Sequence, residues 1–320
     1  MDLDEMLAKS GIGSSGPAGR VKAGFATMIG RPNAGKSTLM NRLIGQKIAI
    51  TSRKAQTTRN RIRTVYTDSR GQIVFTDTPG LHRAESRLGE YMEEAVRKSL
   101  KDIDIVIWVT DPLTNPGREE QLISQELSGV PAKKILVINK TDTVKKERIA
   151  PVLESYRRLA QFDACVAVSA RTGVECEELR DEIFRLLPEG ELFFPEDTVT
   201  DQPERQIAAE IIREKALRLL SQEVPHGIAV SIEKMRERDA RSGKVTDIEA
   251  TILCERESHK GIIIGRGGQM LRRIGTQARE EMEKQFDRHI NLKLWVKVRR
   301  DWKDNPAILK SLGYDRKRDD

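Results

Sequence analysis

Cysteine and histidine are scarce, with three cysteines (Cys165, Cys176, Cys254) and four scattered histidines in 320 residues. Three thiols cannot all pair, and neither residue type falls at metal-ligand spacing. A disulfide framework and a structural metal site are therefore excluded, and buried reduced thiols are expected. No apolar run reaches the roughly 20 residues that cross a bilayer. The basic start of a secretory signal is missing as well: the chain opens Met1-Asp2-Leu3-Asp4-Glu5, which points to a cytoplasmic protein. Nor is there an acidic excess. Lys and Arg number 56 against 49 Asp and Glu, for a net charge of +7. That balance suits nucleic acid or an anionic membrane surface without choosing between them.

What is present divides into two patterns. Residues 1–20 are polar, then rich in Gly, Ser and Pro, and read as a flexible N-terminal extension. Gly11, Gly13 and Gly16 there imitate a dinucleotide-binding fingerprint. No strand precedes them and no acidic residue follows between Val21 and Met40, so the pattern is rejected. Residues 21–188 alternate strand-like runs (24–29, 61–67, 72–77, 103–110, 134–138, 164–169) with helical ones (36–44, 86–100, 118–128, 146–160, 176–187). This rhythm predicts a mostly parallel sheet with helices on both faces, its 61–67 strand joined to 72–77 by a hairpin. An acidic, proline-marked linker follows at 189–203. Residues 204–320 change order: helix 204–221, strands 226–236 and 245–256 around a turn at Ala240–Gly243, a short helix near 259–264, helix 269–286 and strand 290–299.

The first pattern carries the motifs of a nucleotide site. Gly30-Arg31-Pro32-Asn33-Ala34-Gly35-Lys36-Ser37, followed by Thr38, fits the phosphate-binding loop G-x-x-x-x-G-K-[ST], and it sits between a strand and a helix. Backbone amides can wrap a phosphate chain there, with Lys36 on the β- and γ-phosphates and the Ser37 hydroxyl on Mg²⁺. Asp77-Thr78-Pro79-Gly80 ends another strand, placing an Asp near Mg²⁺ and a Gly amide near the γ-phosphate, so that Lys36, Asp77 and Gly80 are the catalytic candidates. Asn139-Lys140-Thr141-Asp142 follows the 134–138 strand. A carboxylate at Asp142 accepts from the N1–H and amino group of guanine, and adenine would leave it unpaired. Asn139 can brace the loops, Lys140 can lie along the base, and Ser169-Ala170-Arg171 can offer an amide to the guanine oxygen. The site therefore reads GTP and GDP rather than ATP. In Gln56-Thr57-Thr58-Arg59, a threonine completes the Mg²⁺ shell; Thr58 is preferred, with Thr57 open.

The second pattern centres on Gly265-Arg266-Gly267-Gly268, a G-x-x-G turn between two helices. It is flanked by Ile262, Ile263, Ile264 and by the cations Lys260, Arg266, Arg272 and Arg273. Without Cβ atoms such a turn lets a nucleic-acid backbone approach closely, the KH arrangement for single-stranded RNA, and the element order is that of its type II form. The Ile stripe is expected in the core. Lys293, Lys297, Arg299 and Arg300 either extend a basic face or are simply solvated.

Together the motifs resemble the Era family of bacterial GTPases over about residues 21–315. The likeness includes Gln56–Arg59, Asp77–Gly80 with Leu81-His82, Phe194-Pro195-Glu196-Asp197, Glu210-Ile211-Ile212-Arg213-Glu214-Lys215 and Leu294-Trp295-Val296-Lys297-Val298. The resemblance implies a P-loop GTPase α/β fold followed by an α+β type II KH unit. It also implies binding near the 3′ end of small-subunit ribosomal RNA, a part in small-subunit assembly, and peripheral contact with the inner face of the cell membrane; a monomer is expected. Asn33 matches a position that in relatives helps bind K⁺. Leu81 stands where Ras-like GTPases carry a water-orienting Gln, so intrinsic hydrolysis is expected to be slow. The competing readings are a GTP-binding RNA adaptor without hydrolysis and a related tRNA-directed GTPase. The latter is expected to end with a Cys, which Tyr314-Asp315-Arg316-Lys317-Arg318-Asp319-Asp320 lacks.

Overall fold

The computed structural model describes residues 21–314 except 53, 55, 81–83, 113–114, 222–223 and 241–242. The N-terminal extension with its glycine pattern, Leu81, His82, two residues of the 240–243 turn and the tail after 314 lie outside the described residues.

The N-terminal unit comprises β1 (Val21–Ile29), α1 (Lys36–Ile44), β2 (Ile62–Asp68), β3 (Gly71–Asp77), α2 (Arg87–Ser99), β4 (Ile105–Thr110), α3 (Arg118–Leu127), β5 (Lys133–Ile138), α4 (Ile149–Arg157), β6 (Ala164–Ala167), α5 (Cys176–Leu186) and β7 (Glu189–Gly190). Strand order is β2-β3-β1-β4-β5-β6, parallel except for β2, which forms an antiparallel hairpin with β3. Strands β3 and β4 are buried along their whole length, as a sheet covered on both faces requires. The chain reverses direction across the sheet at β1, so the loops after β1 and β3 open into one crevice at the carboxyl ends of the strands.

Several boundaries differ from the sequence expectation, and three of them have a clear local reason. Helix α4 starts at Ile149, after a 3₁₀ turn over Lys146–Arg148. Pro151 falls in its first turn, the part of a helix that tolerates a missing N–H. Strand β6 stops at Ala167 because Ser169 enters a turn closed by the Gly173 amide on the Ser169 carbonyl at 2.8 Å. The region expected as a strand from 226 begins as a 3₁₀ turn, Val224–Gly227, containing Pro225.

The acidic linker is bound along the N-terminal unit. β7 pairs with β1, and Phe193 stacks near Phe25 with ring centroids 4.7 Å apart. The Gln72 side chain accepts from the amides of Phe193 (2.9 Å) and Phe194 (3.0 Å) and donates to the Phe194 carbonyl (2.9 Å). The Val65 amide donates to the Val199 carbonyl at 2.8 Å, so the connector covers the otherwise open edge of β2.

The C-terminal unit holds α6 (Glu204–Leu219), β8 (Ala229–Ala240), β9 (Gly243–Cys254), α7 (Glu257–Ile264), α8 (Gln269–Phe286), β10 (His289–Val298) and α9 (Pro306–Ser311). Its sheet runs β10-β9-β8, with β9 antiparallel to β8 and parallel to β10. One face packs on the helices through Ile211, Ile212, Ile248, Ile252, Ile263, Ile274 and Met282. The other face meets α2: Leu88, Tyr91 and Met92 bury against Ala229, Leu253, Trp302, Leu309 and Tyr314. Each such large side chain contributes about 1.5–3 kcal/mol when buried.

Polar contacts join the same two units beside this apolar patch. Glu214 of α6, fully buried, accepts from Lys47 Nζ at 2.7 Å, the Thr51 amide at 2.9 Å and Arg218 at 2.9 Å. Lys47 also meets Glu281 of α8 at 2.7 Å. Burial pushes the Glu214 carboxyl up, but Lys47, the Thr51 amide and Arg218 outweigh it, and the net shift is downward. A carboxyl lowered on folding contributes stability above its unfolded value of about 4.3 and loses it as pH falls through the lower folded value. Glu214→Ala, which strands its cationic partners, is expected to cost about 3 kcal/mol at neutral pH. The difference from the parent chain should shrink as urea unfolding is repeated from about pH 5 downward.

Candidate nucleotide site and RNA-binding groove

The phosphate loop is held by backbone conformation. Gly30 (φ 149°) and Gly35 (φ 101°) adopt positive φ, and a Cβ on Gly35 would lie 2.2 Å from Asn139 Nδ2. Gly35 caps α1, whose amino end faces the crevice and favours anions. Lys36 is buried, and its ammonium donates to the carbonyls of Gly30 (2.9 Å) and Arg31 (3.2 Å). Burial pulls its pKa down to about 8 against the opposing charge of Asp77.

Three side-chain oxygens converge beside Lys36. The Ser37 hydroxyl donates to Asp77 Oδ2 at 2.6 Å, the Thr58 hydroxyl lies 3.2 Å from the same oxygen, and the two hydroxyls are 2.9 Å apart. Asp77 is fully buried, and burial pushes its pKa up against Lys36, Ser37 and Thr58. Its Oδ1 is buried with no hydrogen-bond partner. A buried hard oxygen left open beside two hydroxyls is a donor set that fits Mg²⁺. The Thr57 hydroxyl is turned away, donating to the Lys54 carbonyl at 2.7 Å. The structure thus brings the Thr58 hydroxyl, and not that of Thr57, to the Asp77 carboxylate, although both threonines line the cleft.

At the other end of the crevice, Asn139 donates to the Ala34 carbonyl and accepts from the Ala170 amide, both at 3.0 Å, tying the phosphate loop to the loop after β6. The Ala170 amide is therefore committed to Asn139. Asp142 is oriented by the Ser169 hydroxyl at 2.6 Å and by Arg171 at 2.7 Å, so Ser169 acts by holding the carboxylate. Lys140 adopts φ 64° and reaches the Asn33 carbonyl at 2.6 Å.

One cleft of about 950 Å³ joins these parts, lined by Pro32, Asn33, Gly35, Lys36, Ser37, Thr38, Thr58, Thr78, Gly80, Asn139, Lys140, Asp142, Ala170 and Arg171 among the expected residues. Gly30, Ala34, Asp77, Pro79 and Ser169 support it from behind. The Arg31 side chain turns to Asp111 (3.0 Å) and Glu120 (3.6 Å). Asp111 also approaches Lys140 at 3.5 Å. It was missed in sequence, although its place just past β4, where open sheets hold ligands, was a usable signal. Thr51, Ser52 and Lys54 also line the cleft, as do Leu217 and Arg218 from the C-terminal unit. No sequence pattern could have placed those last two there.

In the C-terminal unit, Gly265, Gly267 and Gly268 all adopt positive φ between α7 and α8. A Cβ on Gly265 would meet Met270 Cβ at 2.7 Å, whereas Gly267 and Gly268 face open space. A groove of about 350 Å³ runs between the start of α8 (Gly268, Leu271, Arg272, Gly275, Thr276, Arg279) and Leu292 and Leu294 of β10. Arg266 and Arg272 are exposed near its mouth, and Ile264 is partly buried. Lys260 sits on α7, 3.9 Å from Glu257. The isoleucine stripe is only partly core: Ile263 is buried, but Ile262 is 46% exposed because it lies on the outer side of α7.

Thr58→Val should remove one hydroxyl from the Asp77 cluster, whereas Thr57→Val removes only a turn contact. The first is expected to weaken magnesium-dependent binding of a non-hydrolysable GTP analogue about ten-fold or more, the second less than about two-fold. Titration with and without Mg²⁺ measures both.

Comparison with known proteins agrees with this geometry. Residues 25–140 match the model of a 50S ribosome-binding GTPase family, and residues 223–303 match that of the KH domain. GTPase Era of Clostridium acetobutylicum is 47% identical over 293 residues, covering 92% of this chain and 98% of that protein. GTPase Era of Caldanaerobacter subterraneus is 46% identical over the same length, with the same coverage. An Era variant of Aquifex aeolicus solved with GDP and aluminium fluoride superposes with a TM-score of 0.87 at 37% identity, covering 92% of this chain and 99% of that one. Era solved with MgGDPNP and nucleotides 1506–1542 of 16S ribosomal RNA gives 0.88 at 38% identity and the same coverage. With a bonded cluster at Ser37, Thr58 and Asp77 in the first unit and an open G-x-x-G turn in the second, and with relatives alike along nearly their whole length, the chain belongs to the Era family of GTPases.

Proposed function

We propose that this GTPase is a magnesium-dependent switch that binds small-subunit ribosomal RNA near its 3′ end and acts in assembly of the small ribosomal subunit. In this reading residues 21–188 are the GTPase unit and 204–320 the RNA-binding unit. The observation that carries the switch is the cluster of Ser37, Thr58 and Asp77, because Thr58 belongs to a segment that the second unit grips. The RNA assignment is supported by the relative solved with MgGDPNP and 16S ribosomal RNA and by the open Gly265–Gly268 turn.

The chain's own residues divide the work. Amides of the 30–37 loop and the amino end of α1 hold the phosphates, and Lys36 exchanges its carbonyl partners for phosphate oxygens. Ser37 and Thr58 are the Mg²⁺ ligands, with Asp77 holding their hydroxyls. When bound, Mg²⁺ neutralises charge developing on the phosphates. Asp142, aligned by Ser169 and Arg171, reads guanine. Gly80 approaches Pro32 so closely that a Cβ would lie 2.6 Å from its nitrogen, which keeps the Gly80 amide at the phosphate end of the cleft. Leu81 has no hydrogen-bonding group for water, so turnover without RNA is slow. Asn33, exposed on the cleft floor, is the K⁺ candidate. The same reading includes a monomeric cytoplasmic protein with peripheral membrane contact; among the described residues no helix is long and apolar enough to cross a membrane.

RNA binding measured with GDP against a non-hydrolysable GTP analogue tests the switch. Tighter binding with the analogue is expected, lost in Gly267→Asp; equal affinity in both states would remove the gating. Hydrolysis is expected to be faster in K⁺ than in Na⁺, and equal rates would dismiss the K⁺ site.

A further inference from the structure

Strand β10 is one of the two edge strands of the C-terminal sheet and shows two different faces. Leu292 and Leu294 point into the groove beside α8. The alternate residues Lys293, Trp295 and Lys297 face the other way and are all exposed, with Arg299 exposed just past the strand. The chain has three tryptophans. It buries Trp108 to 1% and Trp302 to 0% exposure but leaves Trp295 at 43%. Its neighbours in register across the sheet are the small residues Thr251 and then Ser231, which do not cover an indole. Further along the same face, Leu253 is covered by α2 and Trp302, so the face is open only at the Trp295 end.

Charge selects the occupant. Glu249, in register with Lys293, already has Lys234 at 3.9 Å. Asp247 is occupied by Arg238 at 2.7 Å and by Asn291 at 2.8 Å. Lys297 stands opposite Leu253, with no acid in register. The surface is thus an exposed aromatic plate with a cation two residues away on either side, on the back of the strand that walls the RNA groove. Such a plate stacks any unpaired base, and the cations meet the flanking phosphates.

We propose that single-stranded RNA leaving the groove between α8 and β10 turns over the open edge of β10 and stacks a base on Trp295, with Lys293 and Lys297 against its phosphates. The proposal rests on reading that groove as the RNA site. It makes the bound RNA longer than the roughly four nucleotides that a G-x-x-G groove clamps by itself.

Full-length protein supplies its own probe, because Trp295 is the one exposed tryptophan of the three. Two single-stranded RNAs are titrated, one of about four nucleotides and one about three times as long. The long RNA should quench tryptophan fluorescence and shield it from acrylamide; the short one should bind in a manner sensitive to Gly267→Asp without quenching. Trp295→Ala and Lys293→Ala/Lys297→Ala should each weaken the long RNA about ten-fold and leave the short one unchanged, and Trp295→Tyr should restore most of the loss. Unchanged affinity of Trp295→Ala for the long RNA, with the short RNA still bound, would overturn the proposal and leave the groove standing. Failure of the parent chain to bind either RNA would overturn both. Loss of binding to vesicles of anionic phospholipid in Trp295→Ala, with RNA affinity intact, would overturn it in favour of a membrane face.

Discussion

A carboxylate buried at the end of a parallel strand organises this molecule. Asp77 has no access to solvent, one of its oxygens has no partner, and burial alone would favour its neutral form. What keeps a charge tolerable there is the company: the ammonium of Lys36 and the hydroxyls of Ser37 and Thr58. They come from two different constraints. Lys36 and Ser37 are carried by the helix that the phosphate loop opens. Thr58 is carried by the long connection between α1 and β2, whose described residues form no helix or strand to hold it.

That connection is held instead by the second unit. Arg213 of α6, buried completely, donates to the Thr57 carbonyl, and Glu214 accepts from the Thr51 amide. Immediately after Thr58, the buried Arg59 donates to the Ile228 carbonyl at 2.8 Å and lies over the Trp302 ring at 5.5 Å. Burial lowers the Arg59 pKa, and the nearby positive charge of Arg213 adds to that, against the pull of Tyr314 and Glu210. Two buried guanidiniums side by side make a contact that depends strongly on its partners. The segment bearing Thr58 is therefore gripped on both sides by α6 and its neighbours. α6 packs on α8, the helix that begins at the G-x-x-G turn. A change in the hydroxyl cluster has a bonded route to the RNA groove, and by linkage RNA has the same route back.

Much of this was legible in the chain. The helix over 36–44 and the helix over 269–286 lie where periodicity and glycine caps put them, because Gly35, Gly45 and Gly268 set backbone conformations that few other residues adopt. The failures were equally local in cause. Pro151 delayed a helix, Pro225 accompanied the late start of a strand, and Gln72 converted a loop that looked free into a strap. The Arg31 side chain found Asp111 and Glu120, partners that lie close to it only after folding.

By itself the sequence determined the motifs: the G-x-x-x-x-G-K-[ST] loop, the Asn139–Asp142 run and the G-x-x-G turn are short-range patterns, set by which residues can adopt which φ and supply which donors. It determined the order of elements too, since the shift from strand–helix alternation to helix, hairpin, helices and strand is written in periodicity. Only the tertiary structure turned the Thr58 hydroxyl toward Asp77. Tertiary structure alone also put Leu217 and Arg218 beside the nucleotide cleft, buried Arg59 and Arg213 between the units, and left Trp295 uncovered. The cleft lining by Leu217 and Arg218 and the burial of the two arginines depend on contacts between residues more than a hundred positions apart, which no local pattern encodes.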